Sequence, residues 1–274
     1  MTGLLKSDFR RILKDKLLIV VGILAVVFAI TLPLLYAVIF STADMLEDDL
    51  FGNLFSAKTL FFNAFSMGNN LGLVAPVLLA IILCKDFSFG TIRNKIISGK
   101  SRSQIFMSLF ITCAVVLIAV ILLHAFVALG ISLIFFDYQQ TPFTIGDFGY
   151  FLASLGFEVL ILLFVAALLS WLCANMKNVG LVIVLYIAVA MVLVLAGSIL
   201  QTVISVLEIS PGNEKILSVL EFFNRINVGN GALYIGVGTS YTLEDVLYLT
   251  IPPVVGIAGF LGFGLLGFNK KDLK

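Results

Sequence analysis

Five uninterrupted apolar runs dominate the chain, at residues 17–40, 104–136, 150–174, 179–207 and 246–268, and none contains Lys, Arg or Asp. A helix needs about 20 mostly apolar residues to cross the hydrocarbon core of a bilayer, so each run predicts a membrane span. A sixth, weaker span is placed at 66–84. There Asn63, Asn69 and Asn70 interrupt the approach, and Gly68, Gly72 and Pro76 loosen the backbone. The run at 104–136 would make a helix of about 50 Å at 1.5 Å per residue. It is therefore expected to project beyond the membrane.

The polar positions between these runs are patterned too. In the stretch GLLKSDFRRILKDK, within residues 1–16, Leu5, Phe9, Ile12 and Leu13 fall on one helical face and Lys6, Arg10 and Lys14 on the other. That pattern predicts either an amphipathic helix on the inner leaflet or an extension of the first span. Residues 208–245 contain an amphipathic segment, Ile216 to Ile226, followed by the apolar, glycine-rich NVGNGALYIGVGTS, expected to be partly re-entrant. Pro252 and Pro253 are expected to prevent a regular start to the last span. Ala258 and Gly262 there, and Ala166, Ser170 and Ala174 in the fourth, offer faces for close helix contact.

Composition agrees with the pattern: of 274 residues, 61% are hydrophobic and only 12% charged, which no soluble globular domain needs. The fold class expected is a single all-α transmembrane domain over 1–274, with six helices and an N-terminal amphipathic helix. A net charge of +1 conceals a strong asymmetry. With six spans, the N-terminus, residues 85–103, Lys177 and the C-terminal tail lie on one side and hold fourteen of the 17 Lys and Arg; only Lys58, Lys215 and Arg225 fall opposite. Basic short loops stay in the cytoplasm, so both termini are expected there. The acidic group Asp44, Glu47, Asp48 and Asp49 is expected outside. The first run is too long for a cleaved signal and reads as an anchor. Cys84, Cys113 and Cys173 lie in or at the cytoplasmic ends of spans, which precludes an external disulfide framework. By themselves they suggest neither redox chemistry nor a metal.

Candidate chemistry is sparse. Gly99-Lys100-Ser101 resembles the end of a phosphate-binding loop, but the pattern needs a glycine where Asn94 stands and a preceding strand. The LIFFD stretch ending at Asp137 falls on the outer face, so ATP binding by this chain is excluded. The lone His124 cannot build a metal site and, like Asn69 and Asn70, suits interhelical hydrogen bonding. Glu158, about 12 Å into the fourth span at helical rise, suits a substrate path, a proton site or a hydrogen-bonded packing role. Trp171 and Tyr150 fit interfacial aromatic belts. No Ser/His/Asp set, zinc motif or paired intramembrane acids occur, so catalysis by this chain alone is not expected.

Between the second and third spans, Phe87, Phe89, Ile92, Ile96 and Ile97 alternate with Arg93, Lys95, Lys100 and Arg102 at helical spacing, with Ser88 or Thr91 as caps. From spacing alone, the segment is either a short helix along the membrane or a basic loop. The stretch DFSFGTIRNKIISGKSRSQIF, 86–106, resembles the first cytoplasmic loop of type-2 (ABC-2) ABC transporter permeases, with Asp86, Gly90-Thr91, Arg93 and Ser101-Arg102 at the matching positions. That family more often carries glutamate at the position of Asp86 and proline near Gly99. The resemblance implies that the loop, with Phe87 and Phe89, is a coupling helix docking on an ATPase subunit. It further implies a permease working as a pair, with an identical or paralogous copy and two ATPase subunits that carry the ATP and Mg. Spans one, two and five would wall the path. The chain itself would hold no cofactor and contact lipid, not nucleic acid. The expected function is export of an amphipathic or hydrophobic peptide, antibiotic or lipid-like cargo across a bacterial cytoplasmic membrane. The alternatives are a proton-coupled secondary transporter using Glu158 and His124, and a non-transporting scaffold or sensor.

Overall fold

The computed structural model describes residues 1–42, 56–88, 90–136, 144–176, 178–209, 214–238 and 240–270, and among them it contains helices and no strand. The helices are α1 (Thr2–Leu13), α2 (Lys16–Thr42), α3 (Ala57–Asn63), α4 (Val74–Ser88), α5 (Thr91–Ile97), α6 (Arg102–Phe135), α7 (Ile145–Asn175), α8 (Val179–Glu208), α9 (Glu214–Ile226), α10 (Val228–Tyr234) and α11 (Leu243–Lys270). Five of them, α2, α6, α7, α8 and α11, are long and apolar enough to cross a membrane. The chain is an all-α, multi-pass membrane protein.

Local chemistry sets the helix ends. Ser101 starts α6 and Thr144 starts α7 by accepting a hydrogen bond from the backbone N–H three residues on, while Gln104 and Asp147 reach back to the cap's own N–H. Thr242 and Asp245 make the same reciprocal pair before α11. These caps satisfy donors that a helix leaves open at its N-terminus.

Helices α6 and α7 pack along each other at the centre, with α2 against α6, α11 against α7, and α4 wedged against α7 and α8. In α6 67% of the most apolar window is buried, against 11% in α8 and 17% in α11. The outer helices therefore turn most of their apolar surface outward, as lipid-facing helices do, where a soluble protein could not tolerate it. Ile23 and Val27 on α2 and Val184, Val192, Leu195 and Ile199 on α8 are among these exposed residues.

The second span departs from expectation. No continuous helix covers 66–84: α4 begins only at Val74 and has 15 residues, preceded by turns from 64 to 73. Asn70 competes with the helix by donating from its side chain to the Ala64 carbonyl, 3.3 Å away. Pro76 falls in the first turn of α4, where its missing N–H costs nothing. Non-helical backbone inside a bundle must find partners in protein, and here they come from the segment expected to be re-entrant. Met67 N donates to Ala232 O at 2.9 Å, and the Ser66 hydroxyl to Leu233 O at 2.9 Å. Tyr186 closes the far end by donating to Gly72 O at 3.0 Å. Helix α10 reaches this depth because Gly229 lets it lie against Leu193 of α8, where a Cβ would come within 2.7 Å.

The last span also differs. α11 starts at Leu243, ahead of both prolines, and runs through Pro252 and Pro253 as helix. Its cap at Thr242 and its seat along α7 fix the helix from both ends, so the two missing N–H groups weaken it without ending it. The acidic residues Asp44, Glu47, Asp48 and Asp49, Lys177, and Asp137 lie outside the described residues.

Candidate functional site

At one end of the bundle three acids and three bases form a closed cluster around the bend between α4 and α5. The bend measures 51° between the two helices. Asp86, 1% exposed in the last turn of α4, accepts from Arg11 of α1 at 2.7 Å and from Lys95 of α5 at 3.3 Å through the same carboxylate oxygen. Lys95 also pairs at 2.7 Å with Asp8 of α1, whose second oxygen accepts from the Ser108 hydroxyl of α6 at 2.6 Å. Lys85 pairs at 2.7 Å with Asp15, which also caps α2 by accepting from Leu17 N at 3.0 Å. Burial pushes the Asp15 carboxyl up, but Lys85 and the Leu17 N–H outweigh it and hold the group below its ordinary range. Buried charges persist only when paired, and this set is balanced. It clamps α1, α4, α5 and α6 together.

The clamp changes the picture of α1. The face turned inward is Leu4, Asp8 and Ile12, one residue per turn, all buried, whereas Leu13, expected on the apolar face, is 66% exposed. The helix is amphipathic as expected, but its inner edge docks on protein through a buried aspartate. Lys6, Arg10 and Lys14 remain exposed.

Helix α5 is a short amphipathic rod. Ile92 is buried and Lys95 is held in the clamp, while Arg93, Asn94, Ile97 and Ser98 point outward. Its N-cap is Gly90, without a side-chain bond, and the expected cap Thr91 is instead the first helical residue; the side chain of Ser88 lies outside the described ones. Its end explains Gly99-Lys100-Ser101. Gly99 adopts φ 83°, its N–H donates to Ile96 O, and Lys100 N donates to Lys95 O; the glycine stops α5 in the left-handed turn common at helix ends, and Ser101 opens α6. The resemblance to a phosphate loop is punctuation between two helices.

The residues singled out in 86–102 therefore divide. Asp86 is engaged internally. Phe87 is half-buried and meets Phe268 of α11 edge-on at 6.1 Å between ring centroids. Ser101 caps α6, and Arg102 donates at 2.8 Å to Asn269 O at the C-terminal end of α11. Thr91 is half-buried in the first turn of α5, and Arg93 is exposed. Phe89 lies outside the described residues. The contacts of Arg102 and Phe87 place the C-terminal end of α11 beside the start of α6 and the end of α4.

The intramembrane polar residues gather elsewhere, around the turns at 64–73. Glu158 of α7, 2% exposed, accepts from the Asn70 side chain at 3.3 Å. His124 of α6 bonds through Nδ1 with Ala25 O of α2 at 3.2 Å and also bonds the Asn69 backbone. It lines a cavity of about 40 Å³ with Asn63, Asn69 and Tyr36. Glu158 and His124 thus hold neighbouring residues of one turn, with no hydrogen bond between them among the described residues. Glutamine at position 158 keeps the oxygen that accepts from Asn70, so Glu158→Gln is expected to cost less than alanine, about 1 kcal/mol or below. Alanine leaves one Asn70 N–H without its acceptor, while the bond to Ala64 O remains, and is expected to cost about 1–3 kcal/mol. Thermal unfolding in one detergent checks both; a glutamine variant as unstable as the alanine one contradicts this hydrogen-bonding role.

Sequence reading missed Asp8, Arg11, Asp15, Lys85 and Lys95 as partners of one another. The one available signal was an aspartate between Leu4 and Ile12 on a single helical edge.

The bundle of five long apolar helices, the short α4 with its preceding turns, and the clamp together define a polytopic all-α membrane protein with a charged junction at one end. The chain belongs to the DUF2705 family, described as proteins of unknown function, whose family model matches residues 17–274. No curated protein matches the chain.

Proposed function

We propose that this protein is the permease subunit of an ATP-driven exporter and that α5 is the element on which a separate ATPase docks. The observation that carries this reading is the two-sidedness of α5. Its inner side is fixed by Ile92 and the clamp, and its outer side presents Arg93, Asn94 and Ile97, the last 74% exposed at a polar end of the bundle. A short helix that is rigidly anchored behind and apolar and basic in front is suited to receive force from a partner. The resemblance of 86–106 to the coupling loop of type-2 ABC permeases supports the same assignment.

In this reading the chain crosses the membrane six times, with α3, the 64–73 turns and α4 forming the second crossing. The clamp end is cytoplasmic, in keeping with the distribution of Lys and Arg. Two copies, or this chain and a paralogue, pair with two ATPase subunits that hold ATP and Mg, in a bacterial cytoplasmic membrane. The exposed apolar faces of α2 and α8 are available to line the path and meet lipid or the second copy. An apolar cavity of about 310 Å³ among Met67, Leu73, Ile161, Tyr186, Val189 and Ala232 suits a hydrophobic or amphipathic cargo. ATP binding would move α5, and with it α1 and α4 through the shared clamp. Transport follows only if cargo and nucleotide favour different arrangements.

Recovery of a co-expressed candidate ATPase on the tagged protein tests this. The double variant Arg93→Glu, Ile97→Glu leaves the clamp intact and is expected to lower recovery at least tenfold, about 1.4 kcal/mol or more of docking energy. Undiminished recovery by a correctly folded double variant refutes the docking role.

A further inference from the structure

We propose that Cys84 and Cys173 form an oxidisable dithiol site, whose disulfide staples the clamp end of α4 to α7. Cys84 lies in α4, immediately before Lys85 and Asp86 of the clamp, and Cys173 lies in the last turn of α7. Their sulfurs are in thiol–thiol hydrogen bonding at 3.1 Å. Reacting atoms held about 3–3.5 Å apart need little further approach. Both residues are buried, 5% and 1% exposed, which shields the pair from large thiol reagents and favours a small neutral oxidant. The third cysteine, Cys113 of α6, is fully buried and makes no such bond among the described residues. The sulfur–sulfur approach is the geometry that dithiol oxidation requires.

The oxidant is a hydroperoxide, with hydrogen peroxide the simplest. One sulfur, as thiolate, attacks a peroxide oxygen; the S–O bond forms, the O–O bond breaks, and the departing hydroxide takes a proton to become water. The second sulfur attacks the resulting sulfenic sulfur; the S–S bond forms, the S–O bond breaks, and the second oxygen leaves as water with that thiol's proton. Two thiols lose two electrons and the peroxide becomes two waters. A dithiol reductant reverses the reaction by exchange.

The consequence is mechanical. Asp86 and Lys85 follow Cys84 directly, so a covalent bond to α7 holds the α4 end of the clamp against the buried last turns of α7. The bend into α5 then loses freedom. This holds whether or not α5 docks an ATPase.

The test uses the full chain in detergent micelles, exposed to hydrogen peroxide, quenched by alkylation and read by intact mass and peptide mapping. Alkylated under denaturing conditions, oxidised wild type is expected to take up one alkyl group where the reduced protein takes three, and to yield one Cys84–Cys173 linked peptide that dithiothreitol removes. Cys113 should stay reduced, and Cys84→Ser and Cys173→Ser should yield no linked peptide. Amide exchange over 84–97 is expected to slow in the oxidised protein. Retention of all three thiols, linkage through Cys113, or linkage only after denaturation overturns the site. Unchanged exchange in the oxidised form overturns the staple.

Discussion

Reversing the charge at Asp86 is expected to release α1 from the bundle and cost more stability than any other single charge change in the protein. Asp86 is 1% exposed and its carboxylate faces Arg11 and Lys95. In Asp86→Lys the cluster holds four cations, Arg11, Lys85, Lys95 and the new lysine, against two carboxylates, Asp8 and Asp15. Removing one partner of a buried ion pair costs about 3–5 kcal/mol, and placing a like charge there adds repulsion in a poorly screened setting. Asp86→Asn keeps the shape and loses only the charge, so a smaller loss is expected. Limited tryptic digestion offers a direct readout, because Arg10, Arg11 and Lys14 become cleavable once α1 detaches. Asp86→Lys is expected to lose the N-terminal segment rapidly and to melt well below wild type, with Asp86→Asn between them. A charge-reversed protein that digests and melts as wild type does would mean the clamp contributes nothing to holding α1.

The same cluster shows where sequence reading stops. The five long helices were legible because a span of twenty apolar residues in lipid leaves few structural options, whereas the caps Ser101 and Thr144, which start α6 and α7 ahead of the apolar runs, went unread. The junction was legible as an amphipathic segment that spacing left open between a short helix and a basic loop, and Thr91–Ile97 is the helix. The pairing of charges was not legible. Arg11 and Asp86 are 75 residues apart, and in the sequence Lys95 and Arg93 are interchangeable basic positions on one short helix; only packing against α1 assigns one inward and the other outward. Cys84 and Cys173, separated by 89 residues, illustrate the same limit, since neither has a local feature pointing to the other. The weak second span failed for another reason. Its hydrophobicity was real, but Asn70 and Pro76 set the helix start at Val74, and the backbone ahead of it is satisfied by α10, which lies far along the chain.

That dependence of α3 and the 64–73 turns on the later segment makes Gly236 the most restrictive position on the opposite half of the molecule. Gly236 has φ 77°, and a Cβ built on it would sit 1.9 Å from the Phe62 carbonyl oxygen and 2.7 Å from its carbon. Alanine must bear the left-handed conformation, worth about 1–2 kcal/mol, and also push the end of α3 away. The contact is to backbone, so no side-chain rotation relieves it. Separation there strains the neighbouring bonds from Ser66 to Leu233 and from Met67 to Ala232, as well as the Gly236 N–H donated to the Tyr241 hydroxyl at 3.0 Å. The expected cost of Gly236→Ala is therefore more than about 3 kcal/mol, in the range reserved for strained or overpacked sites. Gly259→Ala is the matched control, because a Cβ there meets nothing within 4 Å and alanine favours helix by about 0.5–1 kcal/mol. Thermal unfolding of both variants in the same detergent is expected to show a large loss for the first and none for the second. Equal melting would mean that α3 and the segment after α10 are not in contact, and the turns at 64–73 would then lack the partner that satisfies their backbone.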